Sequence, residues 1–364
     1  PKSVPILFPK ILPRNPKTKP TFKGYFMYIN TKHLYKYPLS FFALFFVFCF
    51  ILTGCTAVPA EPISRTGFYF DTVIDIKIYD NSNENLLDEC MKICSHYDNL
   101  LSATKENSDI WNINHAAGKT VKVDPETFSL LQKALFYADL TNGRFDPTIG
   151  GVSSLWNFSG NTPGPVPDEK EITEALKHVS YKDIVLDSSA DTVRLSDPCT
   201  QLDLGAIAKG YIADQLKKYL KKEGVTSAII NLGGNVLLVG KKPDGSDFTI
   251  GIQKPFADNS TYITTVSASD RSLVSSGSYE RYFEQNGKMY FHILDSATGY
   301  PVETDLVGVT ILSDESVDGD GLSTTCFILG LDKGMKLIES IPGTEAVFIT
   351  KDDQLHFSSG FPRK

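Results

Sequence analysis

The sequence predicts an α+β fold: a single large domain of mixed, mainly antiparallel sheets with packed helices. Two observations carry this. Helical and strand periodicities are mixed along the chain, and the strands are joined mainly by hairpins, not by the crossovers a doubly wound parallel sheet needs. The stretch from Ser227 to Phe291 is mostly strand, broken by the turn signals Gly233-Gly234-Asn235, Pro243-Asp244-Gly245 and Asn286-Gly287. No short internal repeat is evident.

The elements follow in order. Gly67 to Tyr79 alternates apolar and polar residues as a strand does. Asn81 to Ser102 has helical spacing, with Leu86, Leu87, Cys90, Met91, Cys94, Tyr97 and Leu101 on one side. A short helix at Asp109–Ala116 and a brief strand at Val121–Val123 come next. A helix runs from Pro125 to Asn142, where Asp124-Pro125 reads as an N-cap and first-turn pair. Gly143 to Gly164 is rich in Gly, Ser, Pro and aromatics, and reads as a binding loop. Short strands are expected near Ile184–Leu186, Thr192–Leu195 and Gln201–Leu204, then a helix over Ala206–Glu223. After the strand-rich stretch come a strand at Val307–Leu312, helices at Gly319–Leu329 and Asp332–Ser340, and a closing hairpin.

Residues 1–60 are set apart from this domain, which we place at 61–364. They hold eight Lys/Arg and no Asp or Glu, so against a whole-chain charge of −7 the remainder carries −15. Lys32 and Lys36 precede an apolar run from Leu39 to Leu52, interrupted by Ser40 alone. A spanning helix needs about 20 apolar residues, so the run reads as the core of a secretory signal. It ends in Leu52-Thr53-Gly54-Cys55, which resembles a bacterial lipobox with Cys55 as the lipidated residue. Met27 is a candidate start. The expected product is exported and lipid-anchored at the outer face of the cytoplasmic membrane. Its acidity argues against nucleic acid as a partner. Of six cysteines, the four beyond the leader lack metal-finger or redox spacing, and Cys90 with Cys94 reads as a pair of neighbouring buried thiols.

Four segments carry candidate chemistry. In Asp320-Gly321-Leu322-Ser323-Thr324 a carboxylate and a hydroxyl stand at i and i+4, on one helix face. That pair suits two readings, a helix cap or ligands for a hard cation such as Mg²⁺. In Asp203-Leu204-Gly205-Ala206-Ile207-Ala208-Lys209-Gly210 a strand turns into a helix, and Lys209, which opposes the helix dipole, suits either an anionic ligand or an ordinary helix start with a solvated lysine. It is not a P-loop. His292-Ile293-Leu294-Asp295-Ser296-Ala297-Thr298-Gly299-Tyr300-Pro301 puts a histidine at a strand end, as a base, a phosphate donor or a plain structural residue. In Gly143-Arg144-Phe145-Asp146-Pro147-Thr148-Ile149-Gly150, Phe145 could stack on a planar ring system, with Arg144 or Asp146 hydrogen-bonding it; the same composition also makes ordinary turns.

Together, in this order, these segments and Ser275-Ser276-Gly277 with Tyr279-Glu280-Arg281 resemble the ApbE family of FAD:protein FMN transferases. The resemblance runs from about Gly67 to the C-terminal region. Family members are typically exported lipoproteins, in agreement with Cys55. The resemblance implies a Mg²⁺ site (Mn²⁺ as the alternative) at Asp320, Ser323, Thr324 and the Ala206 carbonyl. It implies FAD contacts at Phe70, Arg144, Phe145, Asp146, Asp203, Lys209, Ile293 and Leu294. The sequence departs from the family pattern in three places: Phe70-Asp71-Thr72 stands where Met-Gly-Thr is usual, Thr104 where an aromatic is frequent, and Asp295-Ser296 where Asp-Pro is usual.

The reaction so implied is attack by a Thr or Ser hydroxyl of a partner protein on the FMN-side phosphorus of FAD, releasing AMP. Such transfer needs the pyrophosphate neutralised and the attacking oxygen held in line. Mg²⁺ on Asp320 and Thr324, with Lys209, would answer the first need, and His292 is the candidate for orienting or deprotonating the hydroxyl. Expected acceptors are exported or membrane flavoproteins of electron transfer, such as subunits of Rnf-type or sodium-pumping NADH:quinone reductases. Two rival functions use the same residues: an FAD pyrophosphatase giving FMN and AMP, and a non-catalytic flavin-binding lipoprotein.

Overall fold

The computed structural model describes residues 61–158, 164–258 and 260–363. The leader, its apolar run and Cys55 lie outside the described residues. Along the chain come β1 (Ile63–Tyr69), β2 (Thr72–Ile78), α1 (Asn85–Leu100), α2 (Asp109–Asn114), β3 (Val121–Lys122) and α3 (Pro125–Leu140). Then follow α4 (Gly150–Ser153), α5 (Glu169–Leu176), β4 (Ile184–Asp187), β5 (Thr192–Leu195), α6 (Ala208–Lys222), β6 (Ser227–Leu232) and β7 (Asn235–Gly240). The remainder is β8 (Phe248–Gln253), β9 (Tyr262–Ala268), β10 (Ser272–Gly277), β11 (Tyr282–Gln285), β12 (Lys288–Phe291) and β13 (Leu306–Ser313). The last elements are α7 (Ser316–Leu329), α8 (Leu331–Glu339), β14 (Glu345–Thr350) and β15 (Leu355–Phe357). The α+β expectation holds.

The frame is an eight-stranded sheet in the order β1-β2-β6-β7-β10-β13-β14-β15, antiparallel at every junction. Period-two alternation divides its side chains between two cores. Leu237, Val239, Ala346 and Phe348 face the larger core, which the helices cover. Leu238, Val347 and Ile349 face a second core closed by the β8–β9 hairpin. β13 is buried along its whole length, and this is why it reads as a continuous apolar run. α7 lies on the helical side, so the segment carrying Asp320 is packed against the centre of the sheet.

Three expectations are corrected. Gln201–Leu204 forms no strand; it makes a single parallel bridge, Ile149 to Gln201, and then turns. α7 starts at Ser316, three residues before the expected Gly319, because its first turn is capped from another helix. The aromatic part of the 143–164 loop is mainly core: Trp156 is buried with Phe283 and Leu294, stacks with Phe158 and donates Nε1–H to the Gly299 carbonyl at 2.9 Å. The sequence reading also passed over α5, an eight-residue helix that buries only Ile172. Cys90 and Cys94 are free, buried thiols, as their spacing suggested.

Candidate active site

Three of the sequence segments form one wall. The Asp203 backbone N–H donates to the Pro147 carbonyl at 2.8 Å, and that of Gly150 to the Gln201 carbonyl at 3.0 Å, which joins the 143–150 loop to the 203–210 turn. Gly150 is required there, since a Cβ would sit 2.7 Å from the Gln201 oxygen. Arg144 pairs with Asp295 at 2.6 Å, and Ser296 donates its hydroxyl to the Gly143 carbonyl at 2.6 Å. A proline at 296 would have no such donor. Asp203 orders its own turn, accepting from the Gly205 N–H at 2.8 Å and the Ser153 hydroxyl at 2.9 Å.

The 203–210 turn runs on into α6, and α6 and α7 each cap the other. Asp214 on α6 accepts the Ser316 and Val317 N–H groups at 2.8 Å each, the free donors of the first turn of α7. Asp320 on α7 accepts the Gly210 N–H at 2.8 Å, a free donor of the first turn of α6. Asp320 is therefore a cap, but of the other helix. The two readings left open by its sequence meet in one residue. It is 4% exposed, and burial pushes its carboxyl pKa up, against the opposing pull of the Lys209 charge and the Gly210 N–H.

Lys209 ties this pair to the remaining groups. Its charge acts on Asp320, on Glu280 and on His292 alike. Glu280 is an exposed residue whose carboxyl nonetheless has protein packed close about it. That desolvation raises its pKa to about 7, with Lys209 opposing and Asp320 adding to the rise. His292 is lowered to about 4 by desolvation and then by the charges of Arg281 and Lys209, so its imidazole is neutral at pH 7. Its Nδ1 is shut off from solvent with no hydrogen-bond partner among the described residues. Arg281 also donates to the Asp71 carbonyl at 3.0 Å and brings the β1–β2 turn to the same place.

The expected site residues divide accordingly. Asp203, Ala206, Lys209, His292, Asp320, Ser323 and Thr324 stand on the elements just described, and half-buried Phe70 sits in the turn held by Arg281, its N–H donating to Asp98 at 3.1 Å. Phe145 is corrected: its ring is 4% exposed and packs in the core near Tyr137, leaving no open face for stacking. Asp146 orders its own loop, one oxygen accepting the Thr148 N–H and hydroxyl and the other the Tyr181 N–H. Arg144 is engaged by Asp295, and the side chains of Ile293 and Leu294 point into two cores, with the Ile293 carbonyl accepting the Val302 N–H at 3.0 Å. Gly210, Glu280 and Ser276 went unassigned in the sequence reading. A glycine in the first turn of a helix was the one available signal for Gly210.

The donor set at Asp320 fits a hard cation. Ser276 lies 2.9 Å from the Ser323 hydroxyl and 3.4 Å from that of Thr324. The Ser323 hydroxyl donates to the Asp320 carbonyl at 3.0 Å and keeps its oxygen lone pairs for a cation. Among the described residues only Gly210 donates to that carboxylate. Buried carboxylate and hydroxyl oxygens without nitrogen or sulfur suit Mg²⁺ or Mn²⁺.

Comparison with known proteins agrees with this geometry. The model of the ApbE family matches residues 70–348. An FAD:protein FMN transferase of Klebsiella pneumoniae (strain 342) is 39% identical over 299 residues, covering 81% of this chain and 92% of that protein. One from Treponema pallidum (strain Nichols) is 34% identical, covering 82% and 87%. Among solved structures, the ApbE protein of Thermotoga maritima superposes with a TM-score of 0.75 at 31% identity, covering 84% of this chain and 100% of that one. The flavin transferase ApbE of Vibrio cholerae gives 0.75 at 27%, covering 83% and 99%. This chain belongs to the ApbE family.

Proposed function

We propose that the chain is an FAD:protein FMN transferase that moves FMN from FAD to a Thr or Ser hydroxyl of an exported or membrane flavoprotein, releases AMP, and depends on Mg²⁺ or Mn²⁺. The observation that carries this reading is the Gly210 N–H bond to Asp320 at 2.8 Å, which sets the carboxylate against the helix turn that bears Lys209, with the Ser323 and Thr324 hydroxyls of α7 clustered with that of Ser276. Asp320 and Thr324, with Ser323 and the Ala206 carbonyl, would hold the metal ion, which when bound neutralises pyrophosphate charge. Lys209, in the first turn of α6, meets the pyrophosphate with its ammonium group. Neutral His292 takes the proton of the attacking hydroxyl as the new P–O bond forms and the bond to AMP breaks. We place the protein outside the cytoplasmic membrane, anchored through Cys55, where Rnf-type or sodium-pumping NADH:quinone reductase subunits are fitting acceptors.

The test is a mass spectrum of an acceptor domain incubated with the chain, FAD and Mg²⁺. An acceptor heavier by one FMN, with AMP released, is expected. Free FMN without adduct identifies a pyrophosphatase, and intact bound FAD a carrier; either result ends the transferase reading. His292→Ala is expected to lower the transfer rate about a hundredfold or more. Wild-type kcat/KM should hold at pH 6 and fall toward pH 4, since the base is lost only when the depressed imidazole protonates. An alanine variant with full rate across that range removes His292 from the chemistry.

A further inference from the structure

We propose that His178, Asp197 and Cys199 form a second metal centre, for a zinc-class transition-metal ion, separate from the flavin site. One donor atom from each side chain lies within 4.8 Å of the other two. The grouping is made by the fold: His178 follows α5, while Asp197 and Cys199 follow β5. Asp197 Oδ2 meets His178 Nδ1 at 2.6 Å, and Oδ1 accepts the Cys199 N–H at 2.8 Å. Thr200, fully buried, donates its hydroxyl to the His178 carbonyl at 2.9 Å and its N–H to the Asp197 carbonyl at 3.3 Å. The backbones that carry the donors are thus clamped to one another before any ion arrives.

The donor types select the ion. One imidazole nitrogen, one carboxylate oxygen and one thiolate sulfur suit Zn²⁺ or Co²⁺, which accept mixed N, O and S ligands in tetrahedral sites. Mg²⁺ and Ca²⁺ take oxygen donors, so this cluster and the Asp320 site sort different metals. Three protein ligands leave a fourth position for water. Cys199 is exposed and gives up its thiol proton to solvent on binding. Cys90, Cys94 and Cys326 are buried, and burial pushes their thiols up, to about 12 for the first two, so they do not compete.

The experiment titrates the full chain with Zn²⁺ in excess Mg²⁺, following heat and the alkylation of Cys199 mapped by peptide mass. Co²⁺ serves as a parallel probe, through its thiolate charge-transfer absorption. One equivalent of Zn²⁺ should bind and protect Cys199, and Co²⁺ should give the thiolate band. Cys199→Ser and His178→Ala should each weaken binding about tenfold or more, and Cys199→Ser should abolish the band. Asp320→Asn should leave all of this unchanged, which separates the result from the flavin-site metal. Cys199 alkylated equally with and without Zn²⁺, or zinc binding that survives both substitutions, overturns the proposal.

Discussion

Asp320→Asn is expected to abolish flavin transfer and leave the fold intact. The side chain has two roles, and the amide separates them. Its carbonyl oxygen can still accept the Gly210 N–H, which the carboxylate accepts at 2.8 Å, so the cap on α6 survives. What disappears is the negative charge that would hold the metal. We expect the rate to fall about a thousandfold or more, equivalent to ~4 kcal/mol of transition-state stabilisation. Stability in metal-free buffer should move the other way. Burial raises the Asp320 pKa, so the folded state disfavours the ionised form, and the wild type loses stability as pH rises through that raised value. The amide carries no such penalty, and its melting temperature at pH 7 should equal or exceed that of the parent. Asp320→Ala, by contrast, loses both activity and the cap, at a cost of about 1 kcal/mol. Thermal melts beside transfer assays decide the matter. A variant that keeps activity, or loses it only as far as it unfolds, returns Asp320 to a purely structural role.

What could be read from the sequence depended on how far apart the partners lie. The Asp124-Pro125 helix start was legible because its cap is local, with Asp124 accepting the Glu126 N–H two residues on at 2.9 Å. Strand β5 was legible at Thr192–Leu195 because turn residues bound it on each side. The start of α7 was not, since its cap is Asp214, 102 residues earlier in the chain. Asp320 suggested a cap or a ligand, but its capping partner Gly210 lies 110 residues away. Phe145 misled for a related reason. A loop aromatic signals either a binding face or a core plug, and only the position of Tyr137 on α3 decides between them. Glu280 gave no periodic or motif signal as a titrating group, because its shift comes from desolvation and from the charges of Lys209 and Asp320, which are distant in the sequence.

Gly210→Ala should destabilise the protein more than any other single methyl addition near the site. A Cβ at 210 overlaps the Ser316 carbonyl oxygen and would stand 2.7 Å from both the Ser316 carbonyl carbon and the Val317 Cα. These are backbone atoms of the first turn of α7, and no rotamer change can move them aside. The helices must separate, which strains both caps at once, because Gly210 serves Asp320 while Ser316 and Val317 are held by Asp214. We expect a loss of about 3 kcal/mol, the upper part of the range for overpacking. Gly151→Ala is the matched control: a Cβ there meets nothing within 4 Å, and helix propensity predicts a gain of about 0.5 kcal/mol. Denaturant melts of the two variants measure the difference. Metal affinity should fall with the Gly210 substitution even under conditions where the variant is folded, since Asp320 can no longer be held by an undisplaced α6. Unchanged stability and metal affinity in Gly210→Ala would mean that α6 and α7 do not approach as closely as their reciprocal caps require.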